Sequence, residues 1–489
     1  MTPPAAAAPL TSRRRGVLLN FLSLSASAWS QQLLNFFTGV YLARVLGVAA
    51  LGQVILAQGI VLYFRVAADL GLDLFGARSV AKAPARVSAT VGRLTGARLT
   101  NAALCLCVLL LTAAALHAVR PIGWMVAAFG LLLVPIALSL EWAFSGLERM
   151  ELVGGSRFLG AALSLGLLVC LVRTPDDILV VPLANAAALS AGALLLFAVF
   201  TREHGRATPV FSVAAWKAVV RQAAPTGISL VLIQVYVGFG VIALGLLEGE
   251  TAAGLYGASQ KLVAVVTAIS SMFGAALYPR LSALHEQGRE AFEDLMSAGF
   301  RAMVVAGVPL GVGGALVAPT LVATVYGPGY GPSAVVFRWL VPSVILSFAN
   351  IPFGYALLAA GRQRSYFLAA AAGAVVNVVA TLLLIPRLHL LGPAVATLMT
   401  EGLVLAILFV ESRKVGRVSA GRQLLSVGLS AAAMAAAILT LHPGSLPAQV
   451  LLGAAVYGAC LLATGGLRRS DLAALRLLKA GGSQAGLTA

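Results

Sequence analysis

Residues 48–76 have the sequence VAALGQVILAQGIVLYFRVAADLGLDLFG. The first 17 of these residues carry no charge, and the run exceeds the roughly 20 apolar residues with which a helix crosses the hydrocarbon core of a bilayer. Leu, Ala, Val and Gly occur in it without strict alternation, which disfavours a β-barrel strand. The run therefore predicts a transmembrane helix, with Arg65, Asp69 and Asp73 at intervals of four towards its end.

Runs of this kind fill most of the chain. Of its 489 residues, 60% are hydrophobic and 10% are charged, and the mean hydropathy is +0.95, whereas a soluble domain carries roughly 25% charged residues. Lipid must therefore be the main solvent, and the pattern predicts an all-α polytopic membrane protein with about 14 transmembrane helices. The predicted spans are 17–43, 48–76, 97–118, 122–145, 156–173, 177–200, 222–247, 251–279, 299–324, 331–359, 365–386, 389–411, 423–441 and 446–466.

The net charge of +17 is distributed unevenly over the predicted loops. Of the 34 Lys and Arg residues, 27 fall in loops or tails on one side of the membrane and four on the other. Because positive charge accumulates on the cytoplasmic side, both tails, 1–16 and 468–489, are predicted to be cytoplasmic. Topology and contact with anionic membrane lipids account for the charge, so no nucleic-acid partner is expected.

The chain contains an internal repeat. Three positions in or just after spans two and eight recur at a separation of 202 residues. The matching pairs are Gly52 and Gly254, Gln58 and Gln260, and Arg78 and Arg280. Six spans per unit, an even number, predict two six-helix lobes, 17–205 and 206–415, related by a pseudo-two-fold axis along the membrane normal with a cavity between them. Helices 13 and 14, in 416–467, have no counterpart and are predicted to be an addition.

Signatures of enzyme chemistry are absent from the sequence. It has no GxxxxGK[ST] loop, no HExxH and no GxSxG motif, and its five histidines are scattered. The four cysteines all fall in predicted spans and lack metal-ligand spacing. We expect no catalytic centre, no metal site and no cofactor, which leaves a gradient-driven transporter or a facilitator.

Charged residues within spans are candidates for function, because each costs several kcal/mol unless it faces protein or water. Arg65 and Lys261 occupy equivalent spans of the two lobes, and two cations facing one cavity would suit an anionic substrate such as a pyrophosphate. The candidate substrate-binding residues are Arg65, Lys261, Gln58, Gln260, Gln31 and Asn35. The candidates for ion coupling or structural charge are Asp69, Asp73, Glu141 and Glu401. The alternative for span two is a structural Arg65–Asp69 ion pair, formed in at least one state.

Several short motifs give the chain a resemblance to a family. They include Ala43-Arg44-Val45-Leu46-Gly47, Asp69-Leu70-Gly71, Gln260-Lys261-Leu262, Tyr278-Pro279-Arg280-Leu281-Ser282 and Leu384-Ile385-Pro386-Arg387. In order and spacing, over about residues 17–415, the sequence resembles polysaccharide (oligosaccharide-lipid) flippases of the multidrug/oligosaccharidyl-lipid/polysaccharide exporter superfamily. That family often has an aspartate in span seven where Gly240 stands here, so no role is carried over to this position.

The resemblance implies a flippase that moves undecaprenyl-pyrophosphate-linked oligosaccharide repeat units across the bacterial cytoplasmic (inner) membrane by alternating access. Its product would be used for O-antigen, capsule or exopolysaccharide. The implied partners are the lipid-linked oligosaccharide and membrane lipids, together with a polysaccharide polymerase and glycosyltransferases.

Three other functions remain open. A multidrug exporter of the same superfamily would favour an acidic cavity, which Arg65 and Lys261 oppose. A peptidoglycan-precursor flippase would share the fold. A membrane-embedded glycosyltransferase or polymerase would require an acidic pair near a wide loop, whereas the longest loops here have about 20 residues, too few for a soluble catalytic domain.

Overall fold

A computed structural model of the protein describes residues 10–119, 122–419 and 421–466. Within these ranges the chain is helical, with four short 3₁₀ turns and no strand. The first half contains α1 (Leu10–Asp69), α2 (Leu72–Lys82), α3 (Val87–Val119), α4 (Gly123–Gly130), α5 (Leu133–Leu138), α6 (Glu141–Gly146), α7 (Met150–Leu171), α8 (Val180–His204) and α9 (Val213–Glu248). The second half contains α10 (Glu250–Gln287), α11 (Arg289–Tyr326), α12 (Gly331–Leu340), α13 (Ser343–Ala359), α14 (Gln363–Leu388), α15 (Gly392–Ser412), α16 (Gly421–Leu441) and α17 (Leu446–Ala463).

In the described part of the chain, eleven helical stretches are long and apolar enough to cross a membrane. Trp29–Lys82 includes the second part of predicted span one and all of span two, and Gln363–Ser412 contains spans eleven and twelve. Helix α9 carries predicted span seven. The predicted all-α membrane fold is confirmed, and the count of 14 spans is consistent with this order of helices. Apolar runs form helices here because a helix satisfies its own backbone hydrogen bonds, which lipid cannot do.

Breaks in the predicted spans have local causes. Span two is interrupted after Asp69, where Leu70 and Gly71 adopt φ values of 43° and 81°. A Cβ at Gly71 would lie 2.9 Å from the backbone oxygen of Ala223, so both its conformation and its surroundings require glycine. Span four, predicted as continuous over 122–145, consists of α4, α5 and α6. Pro135 lacks the amide that would bond to Leu131, where α4 ends.

The junction between spans one and two is tighter than predicted. A loop was expected at residues 44–47, but the backbone remains helical on both sides of a single kink at Gly47, with φ 72° and ψ −178°. The left-handed φ turns the chain within one residue, which glycine permits at little cost. Arg44, just before the kink, donates from Nε to the carbonyl of Val325 at 2.8 Å and so caps the end of α11.

The chain forms two compact units. One contains Ile60–Val231 and the described residues of Met1–Tyr41, and the other contains Leu42–Gly59 and the described residues from Leu232 onward. The middle of α1 thus belongs to the second unit, although its two ends belong to the first. The boundaries of the two six-helix lobes remain a prediction.

The first unit is centred on a buried aromatic cluster. Phe144 on α6 packs edge-on against Phe200 on α8, with ring centroids 6.4 Å apart, and neither side chain is more than 1% exposed. Trp142 fits against α2 because a Cβ at Gly76 would lie 2.4 Å from its ring. Because lipid is the main solvent, these rings stabilise the unit through close packing and not through removal from water.

Helices α16 and α17 pack closely in the second unit. Met434 and Ile438 on α16 lie in one buried cluster with Tyr457 on α17. The Tyr457 hydroxyl donates to the carbonyl of Val305 on α11 at 2.9 Å. The two additional helices are therefore attached to α11 by both apolar contact and a hydrogen bond.

The turn after α11 provides a test of topology. Gly329 is exposed in the turn Pro328–Tyr330, and the positive-inside pattern places this turn outside the cell. In a variant without the four native cysteines, Gly329→Cys is expected to react with a membrane-impermeant maleimide in intact cells. The exposed Gly288→Cys, on the predicted cytoplasmic side, should react only after permeabilisation. The reverse labelling pattern would contradict the predicted orientation.

Candidate functional site

The two predicted substrate-binding cations lie on α1 and α10. Arg65 is exposed one turn before the end of α1, and Lys261 is half-buried on α10. Neither side chain has a carboxylate within 4.0 Å or a hydrogen bond to a described residue. An apolar span holds such a charge only at a cost, so both residues are candidates for binding an anion.

Two other cations on membrane helices have structural partners. Arg338 on α12 donates from Nε to the carbonyl of Ala315 at 3.3 Å. Arg157 on α7 binds the carboxylate of Glu141 at 2.8 Å. Glu141, a candidate for ion coupling, thus lies in a half-exposed ion pair here, and its role in coupling remains a prediction.

The repeated glycines of the two halves pack against each other in the second unit. A Cβ at Gly52 would lie 1.8 Å from the carbonyl oxygen of Glu250 and 3.1 Å from the amide of Gly254. A Cβ at Gly254 would lie 2.3 Å from the carbonyl oxygen of Val48. One turn further, Ile55 fills the space left by Gly257. We call this contact of α1 with α10 the glycine seam; only residues without side chains allow the two backbones to approach so closely.

The candidate glutamines and asparagine divide between the units. Gln58 and Gln260 each lie six residues beyond the seam glycine of their helix, or about 9 Å along it, and both are half-buried in the second unit. Gln31 is half-buried and Asn35 is exposed on α1 before the kink, in the first unit. A role of these four residues in substrate binding remains a prediction.

Asp69 caps a helix in this conformation. Its carboxylate accepts hydrogen bonds from the backbone amides of Gly71 at 3.2 Å and Asp73 at 3.1 Å. These amides belong to the break and to the first turn of α2, whose N–H groups have no partner within the helix. The ion pair predicted between Arg65 and Asp69 is not formed in this state, in which the Asp69 carboxylate binds backbone amides.

Asp73 pairs with Arg98 instead. The guanidinium of Arg98 binds the Asp73 carboxylate and donates to the carbonyl of Ile136 at 2.7 Å. Arg98 is 3% exposed on α3. Arg98 is one of the 27 cations that the charge pattern assigns to the cytoplasmic side, and that pattern does not reveal its structural role. The signal in the sequence is Asn101, a second polar residue one turn further along the same helix.

Asn101 completes a polar network in the first unit. Its amide nitrogen donates to the carbonyl of Ala68 at 3.2 Å, and its amide oxygen accepts from the indole of Trp216 on α9 at 2.9 Å. The break at Leu70 and Gly71 deprives the last carbonyls of α1 of helical partners, and Asn101 satisfies one of them. Side chains from α3 and α9 thus hold the broken helix in place.

Glu401 lies in the middle of α15. Its carboxylate accepts a hydrogen bond from the amide nitrogen of Asn350 on α13 at 2.7 Å, and both residues line a cavity in the second unit. No group of three or more His, Cys, Asp or Glu side chains that could hold a metal ion occurs within 10–119, 122–419 and 421–466. The ion-coupling roles predicted for Asp69, Asp73 and Glu401 remain predictions.

Comparison with known proteins gives relatives along most of the chain. Residues 17–285 match the model of the family described as polysaccharide biosynthesis protein. Two curated proteins, each named "Putative O-antigen transporter", are 25% identical: one from Shigella dysenteriae over 81% of this chain and 98% of the relative, one from Escherichia coli K12 over 81% and 97%.

The fold also occurs in solved structures. The lipid II flippase MurJ in an inward closed conformation superposes with a TM-score of 0.72 at 12% identity, covering 89% of this chain and 97% of that one. An inward-facing multidrug resistance MATE family transporter of the MOP superfamily superposes with a TM-score of 0.57 at 16% identity, covering 78% and 94%. Because the family model matches more than half of the chain, this membrane protein belongs to the polysaccharide biosynthesis protein family, and it has the fold of the MOP superfamily of flippases and exporters.

Proposed function

We propose that this protein moves lipid-linked oligosaccharide repeat units from the inner to the outer leaflet of the bacterial cytoplasmic membrane, for the synthesis of cell-surface polysaccharide. The carrier lipid is undecaprenyl pyrophosphate. The names of the relatives, O-antigen transporters, and of a structural neighbour, a lipid II flippase, support this class of substrate.

The proposal rests on two cations within membrane spans, Arg65 and Lys261, whose side chains form no ion pair or hydrogen bond with any described residue. Arg65 and Lys261 lie in equivalent spans of the repeat, one in each of the two predicted six-helix lobes. A pyrophosphate offers several anionic oxygens, and a guanidinium and an ammonium can share them. A cationic drug, the substrate class of many multidrug exporters, would be repelled by both side chains.

Alternating access follows from the need for release. A cation that held the pyrophosphate equally tightly in every state would trap the substrate, so the protein must have states that differ in affinity. We propose that each cation holds the phosphates in only part of the cycle. Both termini are cytoplasmic in this proposal, glycosyltransferases supply the substrate on that side, and a polymerase consumes the product outside.

A glycan-export complementation assay tests the two cations. In a host that lacks its own flippase, we expect Arg65→Ala and Lys261→Ala each to reduce surface glycan at least tenfold, because a lost charge-assisted contact costs about 1.5–3 kcal/mol. Arg65→Lys and Lys261→Arg should retain most of the export.

Arg338→Ala is the matched control, because it removes a span cation that already has a carbonyl partner. Membrane levels of every variant are measured by immunoblot, so that loss of protein is separated from loss of transport. Normal export by the Arg65→Ala/Lys261→Ala double variant would refute the proposed binding of pyrophosphate.

A further inference from the structure

The second unit contains a partly open cavity of about 190 Å³, lined by α13, α14 and α15. Its lining includes the polar residues Ser347, Asn350 and Glu401, the tyrosines Tyr355 and Tyr366, and apolar residues of the same three helices. Neither Arg65 nor Lys261 lines this cavity. The proposed binding of pyrophosphate therefore gives the cavity no role.

The polar part of the cavity presents hydrogen-bond acceptors. Asn350 is 8% exposed, and its amide nitrogen already donates to Glu401. Its amide oxygen is buried and accepts no hydrogen bond from a described residue. A lining that contains a carboxylate and an amide in this way suits a ligand that donates hydrogen bonds.

Two glycines make room for the tyrosine rings that line the cavity. A Cβ at Gly354 would lie 3.0 Å from the ring of Tyr366, and a Cβ at Gly274 would lie 2.2 Å from the ring of Tyr355. The Tyr355 ring also packs against Tyr278, with centroids 6.0 Å apart. The two rings are thus held in place as apolar walls, each with a polar hydroxyl at its end.

This combination fits one class of ligand. A sugar ring has hydroxyl groups that donate to an amide oxygen and a carboxylate, and it has apolar C–H faces that pack against aromatic rings. A carboxylate disfavours a pyrophosphate, and the polar atoms disfavour an acyl or prenyl chain. The cavity volume of about 190 Å³ leaves room for a pyranose ring.

We propose that the cavity lined by Asn350, Glu401, Tyr355 and Tyr366 binds a single neutral sugar ring. The inference rests on the proposed function in that the sugar would be part of the transported repeat unit. It adds a contact that recognises the glycan and not the carrier lipid.

Saturation-transfer NMR tests the binding of sugars directly. The full-length protein in lipid nanodiscs is titrated with methyl α-D-glucopyranoside, methyl α-L-rhamnopyranoside and methyl N-acetyl-α-D-glucosaminide, against empty nanodiscs. We expect at least one of them to show saturable transfer, and Asn350→Leu to weaken its affinity at least tenfold. Asn377→Leu is the matched control, because this buried asparagine on α14 pairs with Thr400 outside the cavity.

A second pair of variants separates loss of sugar binding from loss of folding. Ala370 lines the cavity and its neighbour Ala371 does not, so Ala370→Phe should abolish the signal while Ala371→Phe should leave it within twofold. An equal response in the two variants, or no saturable transfer from any of the three glycosides to the wild type, would overturn the inference. A wild-type signal that is lost when sodium chloride is replaced by choline chloride, and survives Asn350→Leu, would assign the site to a cation instead and would also overturn it.

The outcome is separable from that of the export assay. Export that depends on Arg65 and Lys261 without any sugar signal would leave the flippase proposal in place and remove only the sugar site. A sugar signal that depends on Asn350, with export independent of both cations, would support the cavity and refute the proposed pyrophosphate contacts.

Discussion

Replacement of Gly52 by alanine is expected to abolish export and to lower the apparent Tm of the solubilised protein by more than any other single methyl addition in α1. The added Cβ would lie 1.8 Å from the carbonyl oxygen of Glu250, a backbone atom that cannot rotate away. The glycine seam would have to separate by more than an ångström, and the packing of Ile55 against Gly257 would be lost with it. Such overpacking costs about 3 kcal/mol or more.

The measurement is size-exclusion chromatography of a fluorescent fusion after heating, together with surface glycan. Gly254→Ala should behave like Gly52→Ala, because its Cβ would lie 2.3 Å from the carbonyl oxygen of Val48. Gly428→Ala, on α16 of the same unit, is the control, since a Cβ there meets no atom within 4 Å. Wild-type stability and export in Gly52→Ala would show that the seam is not closely packed in the membrane.

Removal of the Asp73 carboxylate is expected to destabilise the first unit by about 3–5 kcal/mol. Asp73→Ala leaves the guanidinium of Arg98 inside the protein with the carbonyl of Ile136 as its remaining partner, and the Arg98 side chain is only 4% exposed. The Asp73 side chain is 50% exposed, so the reverse change, Arg98→Met, should cost about 1 kcal/mol. The two halves of one ion pair thus differ in cost because they differ in burial.

The double variant distinguishes this account from a general loss of packing. Asp73→Ala combined with Arg98→Met should have a higher apparent Tm than Asp73→Ala alone, because the second change removes the unpaired charge. Glu203→Ala is the control, since it breaks a pair with Arg149 in which both side chains are about 40% exposed. A double variant less stable than Asp73→Ala would contradict the proposed asymmetry.

The recurrence of Gly52 as Gly254 was visible in the sequence, but its meaning was not. A separation of 202 residues predicts equivalent places in two similar units. That the two glycines pack against each other depends on how α1 crosses α10, which no local pattern encodes. In the structure Gly52 and Gly254 meet in a backbone-to-backbone contact, which only residues without side chains allow.

The sequence by itself determined the solvent of this protein, and with it the fold class. Long uncharged runs such as residues 48–64 must form helices in lipid, because the hydrocarbon core offers no partner for free backbone groups. Tertiary structure alone decided which charges meet. The spacing of four favoured Arg65 with Asp69, but the break at Leu70 and Gly71 directs Asp69 to backbone amides and Asp73 to Arg98, 25 residues away. Pairing across helices is set by packing, which depends on residues far apart in the chain, whereas helix formation depends on near neighbours and on the surrounding lipid.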